Sequence, residues 1–218
     1  MNIAVVIPMY NEEKTIGSII QKAKVFGKVI AIDDGSQDNS FREAKKNGAA
    51  VVRHAINMGV GFSTKTGVEK ALRENADIII TMDADGQHDP NEIPRLITIL
   101  QNNKLDVVIG SRFSDNMPLN KKFGNWWIYK WSKFLFGVDI IDTQSGFRAF
   151  TKNAYKKLQW DSRRYAICSE IVMKIGKNKL KFKEIPVKST YIDKFKGTTV
   201  LDGIRIWLSM LLWKMREQ

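Results

Sequence analysis

The sequence predicts one α/β domain built around a mainly parallel sheet. Short apolar runs typical of buried strands recur through residues 1–110, and a segment of helical periodicity follows each of them. Polar loops end several of these runs at the carboxyl side, where ligands collect in open α/β sheets. The 218 residues, of which 44% are hydrophobic and 27% charged, are enough for one sizeable globular core.

Strands and helices are expected to alternate along residues 1–110. The apolar runs predict strands at 3–7, 28–32, 49–53, 77–82 and 105–110. The first helix is expected to begin at Asn11 as N-cap, with Glu12 and Glu13 in its first turn. Further helices are predicted at 40–47, from the end of the 54–61 loop through Leu72, and at 91–102. This alternation indicates βαβ units and therefore parallel strands.

The chain changes character after Arg112. Successive segments are predicted to be aromatic and lysine-rich (117–138), mixed loop and strand (139–150), helical and basic (151–180), a strand broken by a proline (182–192) and an apolar helix (200–216). No repeat or linker separates the two parts. We therefore expect a single domain, 1–218, made of a 1–112 half and a 113–218 half.

Charge is distributed unevenly over these halves. The net charge is +12, and residues 111–218 alone carry 22 Lys and Arg against nine acids. Such a basic half predicts an anionic partner, for which nucleic acid, an anionic membrane and a phosphorylated acceptor are the candidates. The lone Cys168 excludes an intrachain disulfide and fits a reducing compartment. We expect neither a signal peptide nor a membrane-spanning helix.

Two carboxylates follow the apolar run at 77–82 at a spacing of i, i+2. Asp83 and Asp85, with Gln87 just beyond, offer hard oxygen ligands to Mg²⁺ or Mn²⁺. A cation held by two carboxylates usually completes its shell with water and substrate phosphates. A lone Asp-x-Asp is often chance, because acidic loops after strands are common.

Two further motifs are predicted to lie at the same edge of the sheet. Asp33 and Asp34 follow the second strand, where carboxylates accept hydrogen bonds from a base or ribose, or simply form an Asx-turn. Asn57 and Gly59 belong to a glycine-containing loop before a helix, in which backbone can approach a ligand. This loop matches neither the dinucleotide fingerprint nor the P-loop.

Together the motifs resemble the family-2 glycosyltransferases of the GT-A fold. The motifs that carry the resemblance are VIPMYNE at 6–12, DDGS at 33–36, NMGVG at 57–61, DADGQH at 83–88 and GSR at 110–112. The run DTQSGFRAF at 142–150 is similar to the dolichol-phosphate mannose synthase branch, which includes polyprenyl-phosphate glucose and N-acetylglucosamine transferases. The resemblance covers about residues 1–200 and makes 1–112 the nucleotide-sugar half and 113–218 the acceptor and membrane half.

The resemblance implies a role for each matching residue. It assigns Pro8, Tyr10, Glu12 and Asp33 to the nucleoside and Asp34 to the ribose side. Asn57 and Gly59, in the loop whose backbone can approach a ligand, are expected to bind the substrate. The resemblance assigns Asp83, Asp85 and Gln87 to the metal on the diphosphate, and Arg112 to the sugar or diphosphate. It assigns Arg148 with Ser145 to the lipid phosphate. Lys194 stands where the family's late loop usually has arginine, so a bidentate grip becomes a point charge.

The implied reaction is inverting transfer of a hexose from a GDP- or UDP-linked donor to dolichyl or another polyprenyl phosphate. The metal, Arg112 and Lys194 would stabilise the charge that develops on the leaving group. A lipid monophosphate is already largely ionised near neutral pH, so no general base is obligatory. Glu170 stands where relatives that accept sugar hydroxyls have an acidic base. It either orients the sugar or pairs with a basic neighbour.

The aromatic segment predicts contact with a membrane surface. Residues 121–136 contain seven aromatic residues, four lysines and no acid, a composition typical of an interfacial helix. An aromatic core helix is the alternative. The apolar helix at 200–216 either docks on the domain or lies in the interface. These features predict a peripheral protein on the cytoplasmic face of a membrane, and they are compatible with a partner that anchors the chain.

Two other functions compete with this prediction. A family-2 transferase acting on a saccharide or protein acceptor would need a working base. A nucleic-acid-binding module would use the basic half, but the chain has no recognisable reading motif and its acidic cluster would repel phosphates, so we expect no nucleic-acid partner. The sequence leaves mannose, glucose and N-acetylglucosamine all open as the transferred sugar.

Overall fold

The computed structural model describes residues 1–112, 119–189 and 200–215, and its strands form one sheet. The strands are β1 (Ile3–Met9), β2 (Lys28–Asp33), β3 (Ala50–Arg53), β4 (Ile78–Thr81), β5 (Val107–Ser111), β6 (Arg148–Thr151) and β7 (Phe182–Pro186). Their order across the sheet is β3-β2-β1-β4-β6-β5-β7. Only β6 is antiparallel to its neighbours among these strands. The predicted α/β class with a mainly parallel sheet is confirmed.

Helices cover both faces of this sheet. They are α1 (Ile16–Ala23), α2 (Ser40–Lys46), α3 (Val60–Arg73), α4 (Ile93–Asn102), α5 (Leu119–Phe136), α6 (Lys152–Leu158), α7 (Ile167–Lys177) and α8 (Val200–Met215). Apolar side chains of α3, α6 and α7 join the core on one face, and those of α1, α2 and α4 join the core on the other.

The sheet is a rigid platform because its middle strands are buried. All four residues of β4 are buried. On one face Trp160 is fully buried and meets Tyr155 edge-on at 5.3 Å between ring centroids. On the other face Ile16 and Ile93 are fully buried. Each such side chain contributes about 1.5–3 kcal/mol by leaving water, so the loops at the strand ends start from well-fixed positions.

The reversed strand β6 brings a basic residue to the carboxyl edge of the parallel strands. In its register with β4, Arg148 lies opposite Thr81. Arg148 is the first residue of β6, whereas Thr81 is the last residue of β4. Because the two strands run in opposite directions, the start of one and the end of the other meet at the same edge of the sheet.

Helix α8 docks on helix α5, which was one of the two expectations for it. Ile128 of α5 packs with Ile206 and Met210 of α8 in a separate small core. Trp131 and Trp207 meet edge-on, with ring centroids 5.6 Å apart. The aromatic segment thus contributes both to a core and to the surface. None of the described helices combines the length and apolar content that crossing a bilayer requires.

Three local predictions differ from the structure. Helix α1 begins at Ile16 with Thr15 as N-cap, not at Asn11. Asn11 instead has a left-handed φ of 55°, and its side-chain oxygen accepts a hydrogen bond from the Gln37 amide. The predicted helical stretch 151–180 is divided into α6 and α7 by a turn that buries Trp160. Strand β7 ends at Pro186, and residues 190–192 lie outside the described ranges.

Candidate active site

A cavity of about 1120 Å³ opens at the carboxyl edge of the sheet and extends along helices α5, α7 and α8. Its wall joins residues from the start of the chain to its last helix. Eleven of the predicted site residues line it: Pro8, Tyr10, Glu12, Asp34, Asn57, Gly59, Asp83, Asp85, Gln87, Arg112 and Arg148. Folding therefore brings the acidic motif and both arginines into one space.

The loop that carries the two acidic residues is held by neighbouring backbone and hydroxyl groups. The Thr15 hydroxyl donates to the Ala84 carbonyl at 2.7 Å, and the Gln87 amide donates to Asp85 Oδ1 at 2.9 Å. Gly146 approaches from the loop just before β6: a Cβ there would lie 2.5 Å from both carboxylate oxygens of Asp83. Only glycine therefore allows this approach, which packs the SGFR motif directly against the acidic motif.

The charge state of the acidic pair suits a bound cation. Although 35% of the Asp83 side chain is accessible from the cavity, the surrounding protein raises the pKa of Asp83 by burial, against the lowering influence of Arg112 and Arg148. Burial and the adjacent Asp83 likewise raise the pKa of Asp85. A divalent cation would remove the repulsion between the two carboxylates and favour their ionised forms.

The ligand set fits a metal that is shared with a substrate. Among the described residues, no group of three His, Cys, Asp or Glu side chains could hold a metal ion. Asp83 and Asp85, with the cavity-lining Gln87, would leave further positions to water and substrate oxygens, as Mg²⁺ sites commonly do. The adjacent His88 is buried against Phe147, and burial lowers its pKa to about 4, so its imidazole is neutral.

Arg112 is fixed by a buried acid that the sequence analysis had not singled out. Its guanidinium makes a two-pronged contact with Asp142, with Nε to Oδ2 and Nη2 to Oδ1 both 2.9 Å. Burial alone would raise the pKa of Asp142, but the charge and hydrogen bonds of Arg112 outweigh burial and lower it. The planar fork therefore has one orientation at the cavity wall.

A second acid holds the loop that carries Asp142. Glu184 of β7 accepts hydrogen bonds from the Asp142 amide at 2.7 Å and from the Ile141 amide at 2.8 Å. It also accepts a hydrogen bond from the Ser111 hydroxyl at 2.7 Å. Glu184 is the only acid in the lysine-rich stretch 181–188. This isolated acid is the one feature of the sequence that could have drawn attention to Glu184.

Arg148 is a buried arginine that pairs with none of the described residues. It is 3% exposed, its Nε has no hydrogen bond, and no described residue forms an ion pair with it. It nevertheless lines the cavity. Burying a charge without compensation costs several kcal/mol, so this position is suited to a substrate anion that supplies the missing charge.

The opposite end of the cavity is apolar and largely aromatic. It is lined by side chains from α5, from the 164–168 segment and from α8, namely Phe123, Trp127, Ile128, Tyr165, Ile167, Ile204 and Trp207. The cavity thus has an ionic end at the sheet edge and an aromatic end between helices. This division suits a ligand with an anionic head and an apolar body.

Comparison with known proteins agrees with this geometry. The family model described as Glycosyl transferase family 2 matches residues 4–169. This chain belongs to glycosyl transferase family 2. The resemblance found in the sequence motifs is confirmed, and the protein is a glycosyltransferase.

Several relatives of this family-2 glycosyltransferase carry informative names. The UDP-N-acetylglucosamine–dolichyl-phosphate N-acetylglucosaminyltransferase of Methanococcus voltae is 37% identical over 241 residues, covering 98% of this chain and 96% of the relative. The dolichol-phosphate mannosyltransferase of Pyrococcus furiosus is 28% identical over 238 residues, covering 98% of this chain and 65% of the relative. Both names fall in the predicted branch.

A solved structure shows the same fold. The glucosyl-3-phosphoglycerate synthase of Mycobacterium tuberculosis, crystallised with Mn²⁺, uridine diphosphate and phosphoglyceric acid, superposes with a TM-score of 0.72. The alignment covers 98% of this chain and 78% of that chain at 18% identity. The predicted GT-A fold is confirmed.

In this family-2 glycosyltransferase, the glycine loop contacts its own chain as well as the cavity. Gly59 has a φ of 93°, and a Cβ there would lie 2.4 Å from the Arg163 carbonyl oxygen. That carbonyl accepts a hydrogen bond of 2.8 Å from the Gly61 amide at the start of α3. Asp34 accepts hydrogen bonds from the Met58 and Gly59 amides and from His54. The loop is therefore shaped largely by contacts within the protein.

Two predicted site residues, Asp33 and Ser145, do not line the cavity, and a third is not described by the structure. Asp33 is fully buried, where it pairs with Arg53 at 3.0 Å and accepts a hydrogen bond from the Ser36 amide. The buried Ser145 hydroxyl donates to the Gly110 carbonyl. Lys194 lies outside the described residues. The roles expected of these three residues stay predictions.

Glu170 also lies away from the cavity wall. It is 4% exposed, and its two carboxylate oxygens accept hydrogen bonds from the Asp161 amide at 3.0 Å and the Ser162 amide at 2.9 Å. These contacts match neither of the roles expected of Glu170, which were to orient the sugar or to pair with a basic side chain. No local pattern predicts these contacts, because they join a side chain of α7 to the backbone of a turn.

Proposed function

We propose that this glycosyltransferase moves a hexose, such as mannose, glucose or N-acetylglucosamine, from a nucleotide-diphosphate sugar to a polyprenyl phosphate at a membrane surface. The observation that carries the proposal is the buried Arg148 in the cavity wall, which has no hydrogen-bond or ion-pair partner among the described residues. A phosphate on Arg148 would place its lipid chain toward the aromatic end. The names of the relatives from Methanococcus voltae and Pyrococcus furiosus support this acceptor class.

We propose that the donor occupies the side of the cavity formed by β1, β4 and the start of α3. Pro8, Tyr10 and Asn57 line that side and are available to a nucleoside. Asp83 and Asp85 would hold Mg²⁺ or Mn²⁺, which when bound supplies charge stabilisation to the diphosphate leaving group. The name of the Methanococcus voltae relative makes UDP-N-acetylglucosamine the first donor to test.

The protein's own groups account for the remaining chemistry. The guanidinium of Arg112, locked by Asp142, is preorganised to stabilise negative charge as the leaving group departs. Arg148 would orient the acceptor phosphate, whose second pKa of about 6 leaves it a ready nucleophile near neutral pH. Its oxygen would attack the anomeric carbon opposite the departing diphosphate, so the product has inverted configuration. Because Glu170 is engaged by two backbone amides, a saccharide hydroxyl acceptor is less well served.

We propose that α5 and α8 form the membrane-facing surface. Several of their large apolar side chains are exposed: Phe123, Trp126, Trp127, Phe134, Leu201, Ile204, Leu208, Leu212 and Met215. Lys130 lies 5.9 Å from the Trp126 ring centroid, so cationic and aromatic groups alternate there. Such a surface binds the interface of an anionic membrane. Attachment would be peripheral, on the cytoplasmic face where nucleotide sugars are supplied.

The test is transfer of labelled sugar to polyprenyl phosphate in detergent. UDP-N-acetylglucosamine, UDP-glucose and GDP-mannose would each be offered with Mn²⁺, with Mg²⁺ and with EDTA. We expect organic-extractable product from one donor, lost with EDTA and in Asp85→Ala. Unphosphorylated polyprenol is the matched acceptor control and should yield no product. Metal-dependent nucleotide binding without lipid product from any donor would refute the proposed acceptor.

A further inference from the structure

The turn between α6 and α7 supplies a cationic group that the proposed mechanism does not use. Arg164 and Tyr165 both line the cavity from this turn. The Arg164 side chain is exposed, and its guanidinium forms no hydrogen bond or ion pair with any described residue. Its stem lies beside Gly59, where a Cβ would be 3.0 Å from Arg164 Cγ. The side chain is therefore located at the cavity, with its charge available to a ligand.

The backbone of this turn is held at several points. The Trp160 indole donates to the Gly61 carbonyl at 2.9 Å, and the Gly61 amide donates to the Arg163 carbonyl at 2.8 Å. Lys65 donates to the Trp160 carbonyl at 3.1 Å. These contacts attach the turn to the first turns of α3, so the acceptor half of the chain is fixed to the nucleotide half.

Glu170 fixes the same turn from the other side. Each of its carboxylate oxygens accepts a hydrogen bond from one backbone amide, those of Asp161 and Ser162, which lie three and two residues before Arg164. Hydrogen bonds to a carboxylate are stronger than those to a neutral acceptor. A base would need its lone pairs directed at the acceptor, whereas Glu170 does not line the cavity.

We propose that Arg164 is a further contact for the acceptor phosphate and that Glu170 is the positioning residue that holds it there. The inference rests on the proposed function. Arg164 lies beside Gly59 at the start of α3 and begins the stretch whose later members, Tyr165 and Ile167, line the aromatic end of the cavity, so it stands where the donor side meets that end. A phosphate carrying a lipid at that end lies within the reach of this stretch. The donor diphosphate, by contrast, is expected to meet its positive charge at the metal held by Asp83 and Asp85.

The test compares Arg164→Ala, Glu170→Gln and the double variant in steady-state kinetics. We expect the KM for polyprenyl phosphate to rise about tenfold or more in each single variant, as for a lost hydrogen bond to a charged group. The donor KM and kcat should change less than about twofold. The double variant should be no worse than about the larger single effect, because both substitutions remove the same contact. In Glu170→Gln the dependence of kcat on pH should match that of the wild type.

Arg163→Ala is the matched control, because Arg163 is the adjacent arginine and its side chain does not line the cavity. It should keep the wild-type acceptor KM. Thermal unfolding and metal-dependent nucleotide binding would establish that each variant is folded. If Glu170→Gln does not fold, the acceptor KM of Arg164→Ala decides the test alone.

Three results would overturn the inference while the wild type remains active. These are an unchanged acceptor KM in Arg164→Ala, a rise confined to the donor KM, and a loss of kcat with an altered pH profile in Glu170→Gln. The last would identify a base. A wild type that forms no lipid-linked product would instead refute the proposed function, and this inference with it.

Discussion

Replacing Arg148 with methionine is expected to stabilise the ligand-free protein while abolishing transfer. Arg148 is 3% exposed and has no hydrogen-bond or ion-pair partner among the described residues, so only the longer-range attraction of Asp83 offsets its burial. Replacing a buried ion pair with apolar side chains of similar volume is often neutral or stabilising by about 1–4 kcal/mol, and for this one charge we expect the lower part of that range. In a protein of this size, each kcal/mol raises Tm by about 2–4 °C. The anion contact is lost at the same time.

Arg112→Met is the matched control, since it removes the other cavity arginine with the opposite effect on stability. Its partner Asp142 is 4% exposed and would remain as a buried carboxylate without its two-pronged contact. Breaking a buried pair from one side costs about 3–5 kcal/mol. Because 14% of the Arg112 side chain is exposed, we expect a value near the lower end. Transfer should be lost in this variant too.

The assay is urea or thermal unfolding in EDTA and phosphate-free buffer, alongside transfer of labelled sugar. The expected result is a higher Tm for Arg148→Met, a lower Tm for Arg112→Met, and no lipid-linked product from either. If both variants lost stability equally, Arg148 would have a stabilising partner and the assignment of an anion site to it would be wrong. Added phosphate should raise the Tm of the wild type but not that of Arg148→Met.

Three further predictions concern Gly146 beside the acidic motif, the exposed surface of α5 and α8, and the buried Asp34. Gly146→Ala places a methyl group 2.5 Å from the Asp83 carboxylate, so the acidic motif should shift by about 1 Å and kcat/KM should fall about a hundredfold. Normal activity would show that Asp83 is not a metal ligand. Phe134→Ser and Leu212→Ser each remove an exposed apolar group, so each should weaken binding to anionic vesicles about tenfold while Tm stays unchanged. Unchanged vesicle binding would locate the membrane surface elsewhere. Burial would raise the pKa of Asp34, but its hydrogen bonds outweigh burial and lower the pKa below 3.8, so its stabilising contribution is present above that pH and lost as the pH falls below it. Asp34→Asn should therefore flatten the dependence of the unfolding free energy on pH below about pH 4. A profile as steep as that of the wild type would contradict this assignment.

The strand pattern and the position of the acidic motif were predictable because they follow from local sequence. Apolar runs bounded by polar loops predict buried strands, and the carboxyl ends of parallel strands lie at one edge of the sheet. For this reason Asp83, Asp85 and Asp34 could be assigned to one site before any coordinates were known. The family resemblance added Arg112 and Arg148 by motif alone.

Side-chain partners were not predictable, because they depend on residues far apart in the chain. Asp142 and Glu184 hold Arg112 in place, and although Glu184 stands out as the single acid among the lysines of 181–188, nothing local names the groups that it contacts. The reversal of β6 decides that Arg148 faces the cavity, and antiparallel insertion in a parallel sheet has no local signature. The start of α1 was misplaced because the side chain of Asn11 contacts a neighbouring loop instead of capping a helix.

Sequence by itself determined the fold class, the family and the chemistry available at the sheet edge, since these depend on periodicity and on residue types at fixed spacings. Tertiary structure alone decided which charges are compensated. Within the described part of the chain Arg112 is paired and Arg148 is not, although both are arginines at strand ends that the resemblance assigned to phosphate or sugar. It also decided that Glu170 faces the backbone of a turn. The physical reason is that burial and partner geometry set the free energy of a charge, and both are properties of the folded chain.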